Sequence, residues 1–225
     1  RAIRDGDLDM SRTLRKYAFG VLLVPYVLGT VTGVGIWFSI ALASPRVVSL
    51  LIHQFVWYWA IEWVLFIVEG LAIHLYVFHW DRMQPRDHNR LAWIFAFCSV
   101  GTLLIINAIL SFMLTPGAWK PFDAGFMSLK AVLNPGYVPT SLARILESLA
   151  LAGAGGVVLA SLTRSITAEA RAKLVRISCT MILPIVLCLP LGHWVFSLLS
   201  PRSQEFLAGG APVMTIFLGV GVAGM

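Results

Sequence analysis

Apolar residues run through this chain in long blocks separated by short polar stretches, at about 18–43, 50–80, 91–114, 140–163, 174–199 and 211–225. A helix crosses the hydrocarbon of a bilayer with about 20 predominantly apolar residues, so each of the first five blocks is long enough to span. Block 50–80 exceeds that length, which predicts tilt or protrusion. Pro184 and Pro190 interrupt 174–199 and predict a kink there. Segment 116–139 is rich in aromatic residues and turn formers, and is expected along the interface with little regular structure. The last block has 15 residues, short for a crossing, and the opening RAIRDGDLDMSRTLRK reads as a loop or interfacial helix between two spans. Both lead us to expect a chain that extends further at either end. The pattern predicts an all-α integral membrane protein, one domain over 1–225, built as a bundle of five to six transmembrane helices.

Composition agrees with that pattern. Hydrophobic residues make up 58% of the chain and charged residues 12%, where a soluble domain carries about 25% charged residues. The net charge of +6 is no nucleic-acid footprint, because the cations sit in short loops beside apolar blocks. Twelve of the 17 Lys and Arg residues fall on one side: Arg1, Arg4, Arg12, Arg15, Lys16, Arg82, Arg86, Arg90, Arg164, Arg171, Lys173 and Arg176. Cytoplasmic loops carry the excess of positive charge, so the amino end is expected in the cytoplasm and His53, His193 and 116–139 outside. Cys98, Cys179 and Cys188 lie in apolar blocks without CxxC spacing, which speaks against a metal motif, covalent haem attachment or a disulfide framework. No P-loop, GxGxxG fingerprint after a strand, HExxH or nucleophile motif appears.

The candidate chemistry lies in WYWAIEWVLFIVEGLAIHLYVFHWDR, residues 57–82. Glu62 and Glu69 are seven residues apart, so on a helix they share one face about 10 Å apart along the axis. Carboxylates at membrane depth are costly, face the bundle interior and mark ion, proton or cofactor paths. Trp57, Trp59 and Trp63 surround Glu62 in sequence and suit either a haem or quinone wall or aromatic packing at the outer interface. His53 and His193 are expected at similar depth near the outer ends of their spans. They read as a pair of axial ligands for a haem b, or as two imidazoles bonded to carbonyls or lipid headgroups. His74 lies about 140° from the acid face and reads as a packing residue, while His79 and His88 read as solvated. Asp81 and Arg82 are expected to cap the helix and lock the loop. Arg144 and Glu147, at i and i+3, are expected to form an ion pair. The small residues Gly29, Thr32, Gly33 and Gly35 permit close helix approach or close contact with a flat cofactor, and the run AGAGG at 152–156 marks tight helix contact.

Four stretches together carry a family resemblance: LGTVTGVGIWF (28–38), AIEWVLFIVEGLAIHLYVFHWDR (60–82), LLIINAILSFMLTP (103–116) and LNP (133–135). In order and loop length they resemble subunit I of the cytochrome bd quinol oxidases, over about 18–195 and the family's second to sixth helices. The most specific part is Glu-x6-Glu-x10-Trp-Asp-Arg; Glu69 aligns directly and Glu62 with a one-residue gap. The resemblance implies that Glu62 serves the haem d position, beside or on the iron, and that Glu69 belongs to the proton path. It also implies an oxidoreductase partnered by other membrane subunits, with quinol or a c-type cytochrome as donor, in a bacterial or archaeal cytoplasmic membrane. Departures accompany the match. The family's first helix with an axial His, and its late helices with further haem ligands, have no counterpart. Arg144, or Ala143 without a gap, stands where an axial His for low-spin haem b is implied, and neither side chain can ligate iron. Leu110 stands where an Asn is implied, with Asn107 one turn earlier.

Two function classes follow. One is a subunit of a respiratory electron-transfer complex whose Glu62 and Glu69 serve proton delivery or a b- or d-type haem. The other is a degenerate, haem-free subunit that docks c-type cytochromes or a catalytic partner, with no cofactor bound by this chain alone. A proton-coupled transporter is a third reading, without the inverted repeat such folds carry.

Overall fold

The computed structural model describes residues 8–120, 129–163 and 166–210, with positions 212, 213, 215, 216 and 219 beyond them. The described residues form helices and turns with no strand. Helix α1 runs Leu8–Ala43, α2 Pro45–Phe78, α3 Pro85–Leu114, α4 Leu129–Val132 and α5 Tyr137–Leu162. After these come α6 Ala168–Ile182, α7 Cys188–Leu198 and the short α8 Pro201–Glu205. Among the described residues four helices are long and apolar enough to cross a membrane: α2, α3, α5 and the continuous Ala168–Leu198 unit; a shorter apolar stretch, Val31–Ala43, closes α1. The fold is an all-α membrane bundle. Most of the sixth predicted block, 211–225, lies outside the described residues.

Local chemistry sets the helix boundaries. Pro45, Pro85 and Pro201 open α2, α3 and α8, where a missing N–H costs nothing. The Thr167 hydroxyl caps α6 by accepting from the Ala170 N–H. Pro184 falls inside a tighter 3-10 turn, Leu183–Leu187, that separates α6 from α7, and this turn is the predicted interruption of that span. Pro190 sits in the first turn of α7, where the helix tolerates it.

Three buried clusters hold the helices together. At one end Met10, Ala160, Ile166, Ala170 and Leu174 join α1, α5 and α6. Nearby, Ala18 packs on Ile73 and Val77, with Phe95 of α3 against them, and Arg15 reaches Asp81 at 2.9 Å. At the other end Leu51, Phe55, Ile109, Phe112 and Ala131 form the third cluster, and Trp37 meets Trp59 edge to face at 5.2 Å. The contact expected of AGAGG is made against α6: a Cβ on Gly156 would collide with the Ser178 hydroxyl, and one on Gly153 would meet the Ser178 carbonyl. Gly29, Gly33 and Gly35 instead have open space at their Cβ positions.

Buried polar networks tie the connecting segment to α3. Asn134 of the LNP stretch donates from Nδ2 to the Ser111 hydroxyl and to the Ala108 and Ala131 carbonyls, and accepts from the Thr115 hydroxyl at 3.1 Å. Asn107 donates to the hydroxyls of Thr140 and Ser141 at 2.9 and 2.8 Å and so fastens α5 to α3.

Three sequence expectations are corrected. His88 is not solvated: it is 4% exposed, flanked by Tyr76 and Trp80, and its Nε2–H donates to the Trp80 carbonyl at 2.9 Å. Its ring is flat and half apolar, so the turn Trp80–Arg82 folds over it. Arg144 and Glu147 form no ion pair; both side chains are exposed, where the gain of pairing barely offsets the entropy of holding two long side chains. Asp81 does not cap α2, whose C-cap is His79; its carboxylate instead accepts from Arg15 and ties α1 to the α2–α3 turn.

Candidate functional site

The acids lie along the middle of α2, where it runs against α3. The buried residues of α2 are Leu51, Gln54 and Phe55 toward one end and Ala72, Ile73 and Val77 toward the other, with none between them. Phe55, Glu62, Glu69 and Tyr76 are spaced by sevens, so the acids lie on the same stripe that these clusters bury at its two ends. Opposite this waist, α3 presents small and hydroxyl-bearing residues: Ser99, Gly101 and Thr102. Gly101 lets the helices approach, since a Cβ there would come within 2.8 Å of Leu65 Cδ1.

The two carboxylates have different surroundings. Glu69 is half-buried; its Oε1 accepts from the Ser99 hydroxyl at 2.6 Å and its Oε2 from the Thr102 hydroxyl at 3.3 Å. The Thr102 hydroxyl also lies 3.0 Å from the carbonyls of Cys98 and Ser99. It has one proton, so it donates either to Glu69 or to its own backbone. An ionised Glu69 takes the proton bond from both hydroxyls. A protonated Glu69 can donate to Thr102 Oγ1 while that hydroxyl turns to a backbone carbonyl. Both protonation states are thus satisfied without moving a helix. Glu62, also half-buried, has no hydrogen-bond or ion-pair partner among the described residues.

The other sequence candidates are dispersed. Trp59 is half-buried about 60° around the helix from Glu62 and packs on Trp37, while Trp57 and Trp63 are exposed and turned further away. His53 is exposed, and its Nδ1–H donates to the Ser49 carbonyl at 2.7 Å, which leaves Nε2 as the lone-pair nitrogen of the neutral ring. His193 is exposed on α7, which packs on α5; α2 packs on α3 and α1. His74 stacks on Phe78 away from the acid stripe. Sequence reasoning passed over Ser99 and Thr102, although two hydroxyls at i and i+3 within an otherwise apolar span were a usable signal. No group of His, Cys, Asp and Glu among the described residues is arranged to hold a metal ion by itself.

Long apolar helices, a shared acid stripe and a hydroxyl-lined waist define a multi-pass membrane protein with ionisable groups at membrane depth. The family model for cytochrome bd terminal oxidase subunit I matches residues 1–201, and the chain belongs to that family. It is therefore a membrane subunit of a multi-subunit respiratory oxidase, in the oxidoreductase and electron-transport class. No curated protein and no solved structure matches it.

Proposed function

We propose that this chain delivers protons to a haem site of its oxidase, with Glu69 as the proton-holding group and Glu62 as the group that faces the haem. The observation that carries the reading is the contrast between the acids: Glu69 is held by Ser99 and Thr102, whereas Glu62, on the same stripe, has no hydrogen-bond or ion-pair partner among the described residues. A partnerless carboxylate at membrane depth favours an external partner, because leaving it unpaired there is costly.

The donor set fits a haem on the Glu62 side of the waist. Glu62 supplies a free carboxylate, and the Trp59 ring, braced by Trp37, supplies apolar surface beside it. A haem bound there would carry the redox chemistry, and the family typically binds haem. The residues of this chain orient and supply protons. Glu69 takes a proton while Thr102 turns from the carboxylate to its backbone, and releases it when Thr102 and Ser99 again donate to the carboxylate. Glu62 lies about 10 Å further along the same stripe, too far for one direct transfer, so water must bridge the acids. A clamp of His53 and His193 draws less support, since among the described residues α7 packs mainly on α5 while α2 packs mainly on α3 and α1. Quinol or a c-type cytochrome as donor, a cytoplasmic amino end and a bacterial or archaeal cytoplasmic membrane belong to this same reading.

The haem-free docking subunit is the second reading. Arg144 favours it: this exposed cation stands on α5 where the resemblance implies an axial His. The test is the optical spectrum and turnover of the purified complex with wild type, E62Q and E69Q. The proposal expects a haem spectrum perturbed by E62Q and turnover lowered by both variants. Absence of haem together with unimpaired turnover in both variants refutes it; absence of haem with lost assembly selects the docking subunit.

A further inference from the structure

One face of α6 is lined for a ligand that the oxidase chemistry does not use. Ala168, Arg171, Ala172, Val175 and Arg176 recur at i, i+3, i+4, i+7 and i+8, and with Ile166 they line an open cleft of about 630 Å³. The middle of this stripe is small and apolar. Its two arginines are about 140° apart around the axis and so flank the cleft on either edge. Arg171 is anchored, since its Nη2 donates to the Thr163 carbonyl at 3.1 Å and its remaining N–H groups stay available. Among the described residues neither arginine has a carboxylate partner, and Glu169 is not among the lining residues. The cleft occupies the first two turns of the apolar Ala168–Leu198 unit.

We propose that this cleft binds the headgroup of an anionic phospholipid, its phosphodiester between Arg171 and Arg176 and its glycerol and upper acyl chain against Ala172 and Val175. Two guanidiniums without an acid attract a phosphate and repel the ammonium of a zwitterionic headgroup. A free phosphate would fill only part of the cleft and leave its apolar floor wet, whereas a lipid covers both.

The test is native mass spectrometry of the full chain, purified with its complex and delipidated, against phosphatidylglycerol and phosphatidylcholine of matched acyl chains. Phosphatidylglycerol is expected to bind in preference. Losing one arginine should weaken it about fivefold and losing both, in R171Q/R176Q, about 30-fold. R171K/R176K should keep most of the affinity, and A172W, which fills the floor while keeping both cations, should lose it. R144Q, a lone exposed cation on α5, should change nothing. Equal binding of the two lipids, full affinity in R171Q/R176Q or A172W, an equal loss in R144Q, or displacement of the lipid by millimolar inorganic phosphate overturns the proposal.

Discussion

Replacing Glu69 by Gln separates proton carriage from packing. In E69Q the amide oxygen still accepts from Ser99, as Oε1 does now at 2.6 Å. The amide nitrogen faces Thr102 Oγ1, now 3.3 Å from Oε2, and can donate to it while Thr102 donates to the Cys98 or Ser99 carbonyl, each at 3.0 Å. Every hydrogen bond of the site has a counterpart, so the cost to stability should stay under about 1 kcal/mol, or a fall in Tm of at most about 2–4 °C. An amide cannot carry the proton. Loss of a positioned acid–base group lowers the step it serves by about 10²–10⁴-fold. The assay is proton uptake and oxygen consumption by the complex reconstituted in liposomes, beside a thermal melt of the same preparation. S99A, which keeps the carboxylate but loses its shorter bond, should fall between wild type and E69Q. Undiminished uptake in E69Q refutes the assignment, and so does a melt lowered enough to account for the loss.

The remaining predictions concern what holds the site in place. N134A removes the donor to Ser111 and Ala108 and the acceptor for Thr115 in a buried setting, and should cost about 2–3 kcal/mol in a thermal or denaturant melt. G156V drives a side chain into Ser178 and should destabilise the α5–α6 contact by about 1–3 kcal/mol, while G29V, with open space at its Cβ, should melt like wild type. H88F keeps a ring against Tyr76 and Trp80 but loses the donation to the Trp80 carbonyl, so a drop of about 1 kcal/mol is expected in the same melt.

How much of this was legible beforehand differs from residue to residue. The spans could be read because the bilayer imposes a length and a polarity that no other residue has to supply. Glu62 and Glu69 could be paired because seven residues make nearly two turns of any helix. Their different surroundings could not be read, since Ser99 and Thr102 lie 30 and 33 residues away and meet Glu69 only through the rotation of α3 about its own axis. His88 looked like a polar loop residue and is buried because a turn folds back on it.

The sequence alone therefore determined the class, an all-α membrane bundle with two acids on one helix face, and the family to which those residues point. Tertiary structure decided which acid is bonded, which has no hydrogen-bond partner among the described residues, and where the helices close on one another. The physical reason is range: helix formation and membrane insertion depend on neighbours within a few residues and on the solvent. The partner of a buried polar group is chosen by contacts between segments whose separation along the chain carries no information about their distance in space.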